Sequence, residues 1–348
     1  MQKKATSPIL FAILAAICYG VSAPVSKMLL EKIPPTQMAA LLYLGAGVGM
    51  FIVNLFGQKS RMEAKITKRE WPYVLGMIIL DIAAPILLML GLSMTTPANA
   101  SLLNNFEIVA TSVIALTIFK EAIGKRMWMA IFLITLSSII LSFEDISSFS
   151  FSAGSLLVLG ACLCWGLENN CTRMLSLKNP LQIVIIKGFG SGLGALMIAF
   201  ITNEIAFFPL YILYALLLGF FAYGLSIFFY IKAQRALGAA RTSAYYAVAP
   251  FVGAALSFIM FKQPLTVSFV VALIIMLVGA YLAAFEKHRH VHTHETMQHE
   301  HRHSHDDRHH NHGHESTVLG EHSHAHTHEK ITHEHEHTPD MHHKHTHC

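Results

Sequence analysis

Ionisable and amide side chains set inside apolar runs are the residues of this chain that can do chemistry. Asp81 stands ten residues after Trp71, and Glu107 ten residues after Pro97. A charge at the centre of a bilayer costs roughly 2.5–3.5 kcal/mol on the gentlest scales, so each such group needs a reason. At about 1.5 Å per helical residue both carboxylates fall about 15 Å deep, near the middle of a hydrocarbon layer about 30 Å thick. Two acids sharing one dry cavity raise each other's proton affinity, which suits a proton-coupled step. The competing reading is packing: each acid is fixed by a neighbouring amide such as Asn104 or Asn105. Glu168 lies deeper along its own run, and Lys187 stands six residues past Leu181 in the next one. An ion pair within that hairpin satisfies both charges; a gate or a substrate contact is the alternative. Asn169 and Asn170 follow on the same turn as Glu168 and can line a polar path, with Tyr19 and Trp165 as aromatic walls.

A second chemistry is concentrated at the other end. All 23 histidines fall from residue 288 onward, mostly as His-x-His: His288, His290, His292 and His294, then His299, His301, His303 and His305, then His322, His324, His326 and His328, with further copies to His347. Neutral imidazole is a good ligand for Zn, Ni, Co or Cu ions, and several on a flexible chain can close around one. The low hydrophobicity of residues 286–348 leaves no core, so this tail is expected to be disordered without a ligand. Imidazole titrates near pH 6.5, so acid would release a bound metal.

The elements that must position the membrane groups follow from composition. The chain has 348 residues, 53% hydrophobic and 13% charged, about half the charge of an ordinary soluble domain. Residues 1–285 carry 19 Lys/Arg and 10 Asp/Glu, net +9; residues 286–348 carry 6 and 11, net −5 with His neutral. Ten apolar runs are each long enough for a membrane helix of about 20 residues: 7–30, 36–56, 71–93, 98–118, 127–143, 153–175, 181–202, 209–231, 240–261 and 266–285. The connections on one side hold fifteen cations, among them Lys59, Arg61, Lys65, Lys68 and Arg69, against Lys32 and Lys262 on the other. By the positive-inside rule both termini are cytoplasmic. Four of the five cysteines lie in apolar runs, where Cys behaves as a small hydrophobe.

The runs repeat. Cys18-Tyr19-Gly20 followed by Lys27-Met28-Leu29 answers Cys164-Trp165-Gly166 followed by Arg173-Met174-Leu175. The glycines of Gly45-Ala46-Gly47-Val48-Gly49 answer Gly190-Ser191-Gly192-Leu193-Gly194, and Phe119-Lys120-Glu121 answers Phe261-Lys262-Gln263. A duplicated unit with an odd number of spans enters the membrane upside down the second time, a common carrier plan with the site between the copies. The expected fold is therefore an all-α integral membrane protein, ten transmembrane helices in two inverted five-helix repeats, 1–143 and 153–285, followed by the tail at 286–348.

These motifs, with Ala249-Pro250 in the ninth run, resemble the drug/metabolite transporter superfamily, specifically proteins with two tandem EamA-like domains. The resemblance covers about residues 7–285; Gln263 stands where the pattern usually has Glu, and Ile108 where it has Pro. It implies a carrier of small metabolites in an inner membrane, often an exporter, with a cavity between the repeats. The chain holds no phosphate loop, no nucleophile elbow and no histidine within the ten runs, so an enzyme is not expected. The function expected is secondary transport of small organic metabolites such as amino acids. The alternative is transport of, or regulation by, a divalent transition metal, with Cys162, Cys164 and Cys171 as soft ligands. The expected partners are the bilayer, a small-molecule substrate and divalent metal ions, with a homodimer left open and no nucleic acid.

Overall fold

The computed structural model describes residues 6–56, 66–119, 124–145, 150–175, 178–237, 242, 245–284, 288–294, 297–303, 322–328 and 331–337. Helical stretches lie at all ten expected positions, but four of them are interrupted. The first is α1 (Thr6–Gly20) and α2 (Ser22–Leu29), followed by α3 (Pro35–Phe56) and α4 (Trp71–Met94). The fourth divides into α5 (Pro97–Leu103) and α6 (Phe106–Phe119), and α7 spans Lys125–Ser142. In the second half, α8 (Ala153–Met174) and α9 (Pro180–Ile201) are continuous. The eighth stretch runs as α10 (Pro209–Gly219), a π-helical turn (Phe220–Leu225) and α11 (Ser226–Leu237). The ninth is α12 (Ala249–Phe261), preceded by the turn at Ala247 and Val248, and the tenth is α13 (Val267–Ala284).

The breaks have local causes. Pro24 and Pro250 each remove a backbone donor just past a turn, which frees a carbonyl one turn earlier. At Asn104 and Asn105 the bonds shorten to the i−3 type, from Asn105 N to Leu102 O and from Glu107 N to Asn104 O. Such breaks are tolerated at membrane depth only where protein or a cavity satisfies the backbone.

Among the described residues eight stretches are long and apolar enough to cross a membrane, and Ala249–Phe261 is apolar but shorter. This narrows the expectation of ten uniform spans. The remaining helix, α8, has the length, but Glu168, Asn169, Asn170 and Arg173 dilute its apolar character. Of the cations behind the orientation argument, Lys3, Lys4, Lys59, Arg61, Lys65, Lys120 and Arg241 lie outside the described residues.

The bundle is held by pairs that cross between the halves. α3 packs on α9, α4 on α8, and α7 on α13. Small residues let the first two pairs close in: a Cβ on Gly188 would fall on the backbone of Gly47, and one on Gly91 would lie 2.7 Å from Gly154 O. Without a hydrophobic drive between helices in lipid, such backbone approach is what binds them.

Within the tail, four described segments pair as strands. His288–His294 pairs antiparallel with Ile331–His337, and Met297–His303 with His322–His328. The physical reason is periodicity: His-x-His repeats every two residues, the period of a strand.

Candidate functional site

Asp81, ten residues into α4, is fully buried. Its Oδ1 accepts a hydrogen bond from the Tyr43 hydroxyl of α3 at 2.8 Å, and its Oδ2 lies 3.1 Å from Lys187 Nζ of α9. The same ammonium lies 3.0 Å from Glu168 Oε1 of α8. The hairpin pair read from the sequence is therefore present, but Asp81 joins it. One lysine serves two carboxylates. Thr172, one turn on, donates its hydroxyl to Glu168. The Trp165 indole donates to the Tyr43 hydroxyl at 3.4 Å, so a predicted aromatic wall orients the residue that orients Asp81.

Glu107 does not share that cluster. It sits just past the α5–α6 break and accepts from Asn169 Nδ2 at 2.6 Å; that amide also reaches Thr111 Oγ1 at 3.2 Å. Among the described residues no side-chain hydrogen bond joins Asn104 or Asn105 to Glu107 or Asp81; the amide on Glu107 is that of Asn169 instead. Asn104 Oδ1 and Asn105 Nδ2 are buried without a hydrogen-bond partner among the described residues. Asn170 instead bonds the backbone, donating to Gly166 O at 2.8 Å. The two acids expected in one cavity are thus in two settings, one ion-paired and one held by an amide.

Tyr19 faces Tyr223 with ring centroids 5.9 Å apart, and Tyr223 faces Tyr43 at 5.3 Å. Ser22 donates to the Tyr223 hydroxyl at 3.4 Å. Beside them is a cavity of about 10 Å³, lined among others by Tyr19, Ser22, Leu88, Ser101, Asn104 and Pro250. That volume holds about one water.

Both ends are tied. At one, Lys27 Nζ is 2.6 Å from Leu92 O, 3.0 Å from Ser93 O and 3.1 Å from Thr95 O, while Glu204 accepts from Thr36 N at 3.0 Å. At the other, Lys178 lies 2.9 Å from Glu70. Burial alone would raise the Glu70 carboxyl, but the Thr67 backbone N–H and Lys178 outweigh it and hold the group below its usual range.

Sequence reasoning passes over Tyr43 and Thr111, because one hydroxyl in an apolar helix gives no signal until the fold shows what it faces. Cys18, Cys162, Cys164 and Cys171 are free thiols. Among the described residues no group of three or more His, Cys, Asp or Glu is placed to hold a metal. His305 and the tail side chains lie outside the described residues.

The profile of the EamA-like transporter family matches this chain twice, over residues 6–143 and 152–285. The chain belongs to that family. It is accordingly a multi-pass membrane protein that carries small molecules. An uncharacterized transporter of Methanothermobacter thermautotrophicus is 29% identical over 289 residues, covering 78% of this chain and 84% of that one. The uncharacterized transporter YyaM of Bacillus subtilis is 22% identical over 278 residues, covering 77% and 90%. A solved crystal structure at 16% identity has the same fold, with a TM-score of 0.58 over 80% of this chain and 95% of the other.

Proposed function

We propose that this protein is a secondary carrier, an exporter or exchanger, of small organic metabolites such as amino acids. It works in the inner membrane with both termini cytoplasmic. The observation that carries this is the buried polar site between the two family domains. Asp81 and Glu168 are buried there against Lys187, the one buried lysine among the described residues, while Glu107 is half-buried on Asn169. Buried charge in such excess is expensive, and a carrier that moves a proton or a polar solute has a use for it. Tyr19, Trp165, Asn104, Asn105 and Asn169 line or support the path, while Asp81 and Glu107 carry binding or coupling. Ion gradients drive the cycle.

The test is reconstitution in liposomes with a panel of radiolabelled amino acids, run with wild-type protein, D81N and E107Q. Uptake by wild-type protein that both variants lose or uncouple, at equal insertion, is the expected result. Wild-type flux in both variants removes these residues from the mechanism; a silent panel removes the substrate class.

A second reading concerns metal. The tail strands put histidine opposite histidine in backbone register: His288 with His337, His290 with His335, His292 with His333, and likewise His299 with His326, His301 with His324 and His303 with His322. We propose that the tail binds Zn, Ni, Co or Cu ions on the cytoplasmic side and regulates the carrier. Titration of full-length and tail-less protein with Zn²⁺ tests it, with binding expected only in the full chain. Zn²⁺ flux that survives loss of the tail would instead make metal the substrate.

A further inference from the structure

The ion cluster is not repeated at the positions that the duplication sets against it. The motif Cys18-Tyr19-Gly20 matches Cys164-Trp165-Gly166 at an offset of 146, which sets Glu168 against Ser22; Gly45 matches Gly190 at 145, which sets Lys187 against Leu42. The packing supplies the third offset. Gly190 abuts Ile78 as Gly45 abuts Leu216, and Gly194 abuts Ile82 as Gly49 abuts Phe220. Both comparisons give 138, which sets Asp81 against Gly219. Where Asp81, Lys187 and Glu168 meet, the positions that the duplication sets against them are Gly219, Leu42 and Ser22, and a Cβ on Gly219 would strike Leu42 O. A carrier of inverted repeats works by exchanging the arrangements of its halves. Here one arrangement is held by charge and the other by close packing.

The charges are also unevenly owned. Asp81 belongs to the first family domain, Lys187 and Glu168 to the second. The Lys187–Glu168 pair is neutral and moves with the second domain. Ionised, Asp81 cannot part from Lys187 without stranding a bare carboxylate in a low-dielectric interior. Protonated, it leaves both domains neutral at this depth.

We propose that Asp81 and Lys187 form a proton-released lock between the two halves. In the locked state Lys187 spans Asp81 and Glu168. One proton from hydronium forms an O–H bond on Asp81 and leaves a water molecule, Lys187 keeps its three protons and its pair with Glu168, and the α4–α8 and α4–α9 contacts part. The groups that face Asp81 are few. From α3 comes Tyr43, from the π-helical turn Tyr223, from α8 Glu168 and from α9 Lys187. Glu107 of α6 acts on Glu168 and Lys187, and Cys171 lies against Gly76 of α4. Lys187 is the one cation among them. The lock rests on the transport reading above, and it names which acid takes the proton and what that proton frees.

The test is a distance, not a flux. In full-length protein with its native cysteines replaced, spin labels go on Leu75 of α4 and Leu167 of α8, both exposed, and spacing is measured by pulsed electron resonance in nanodiscs from about pH 5 to about pH 9, spanning the range of perturbed carboxylates. Wild-type protein is expected to gain a longer-distance population at low pH, and K187R to keep that response. D81N holds the long population at every pH. E168Q stays short at every pH, because its remaining Lys187–Asp81 pair is itself neutral and spans both halves. A merely structural cluster would disturb D81N and E168Q alike, and that result overturns the proposal, as does a wild-type distance that ignores pH. Should D81N fail to fold, a long population in E168Q at low pH is sufficient refutation. The measurement needs no substrate. A silent amino-acid panel with pH-dependent distances sinks the substrate reading alone, and fixed distances with active transport sink the lock alone.

Discussion

A single methyl group at Gly188 tests whether the α3–α9 crossing positions the site. In G188A the new Cβ falls on the Cα and N of Gly47 and lies 2.9 Å from Tyr43 O. All three are backbone atoms and cannot swing aside, so the helices must separate by about an ångström to restore ordinary contact at about 3.5–4.0 Å. Overpacking of this kind costs about 1–3 kcal/mol, of which Ala returns up to about 1 kcal/mol through helix propensity. The net expectation is a loss of about 1–2 kcal/mol, or a melting temperature lower by roughly a few degrees. The same shift draws Lys187, the preceding residue, away from Asp81, and moves Tyr43 with it. Gly160 is the control: its Cβ would meet Leu87 Cδ1 at an ordinary 3.5 Å, so G160A melts at or above wild type. Thermal unfolding of both variants in detergent, followed by tryptophan fluorescence, reads the difference. G188A melting with wild type, or G160A falling below it, refutes the idea that close backbone approach at this crossing holds the bundle.

Lys27 caps the last carbonyls of α4, where a cation also meets the negative end of the helix; K27M is expected to cost about 1–2 kcal/mol and to speed amide exchange over residues 90–95, and unchanged protection there would show the cap to be idle. Asn169 supplies the amide that Glu107 accepts, so N169A strands a half-buried carboxylate at a cost of about 1 kcal/mol, which N169Q partly restores in the same melt; equal melting of N169A and wild type removes that bond from the account. The Glu70–Lys178 bridge gives a pH dependence of known sign. Because the folded Glu70 carboxyl sits below its usual range, its contribution is complete above the unfolded value and is lost as pH falls through the folded one; E70Q should flatten the acid limb of stability against pH, and a limb identical to wild type would place the acid loss elsewhere.

What the sequence discloses and what it conceals divide along the duplication. Periodic apolar runs, glycine spacing and matching first-helix motifs depend on residue types that recur, so the ten stretches and the two units are legible from residues alone. The breaks are half legible. Pro24 and Pro250 announce two of them, whereas the π turn at Phe220–Leu225 has no residue that marks it. The site itself is legible only as single groups. Depth along a helix puts Glu168 beside Lys187, but nothing in the spacing says that Asp81, from the other unit, takes the remaining side of that ammonium; that depends on the α4–α8 and α3–α9 crossings, which bring different units together. Glu107 and Asp81 have similar depths and no shared partner, because depth fixes one coordinate and rotation about the helix axis the other. Duplication preserved the geometry that both copies need, and divergence left each charged position of the cluster with an uncharged counterpart in the other copy. The residues of the ion cluster are those at which the repeats disagree: Glu168 against Ser22 and Lys187 against Leu42 can be seen in the sequence once the repeats are aligned, while Asp81 against Gly219 needs the packing of Gly45 and Gly190 to fix the offset.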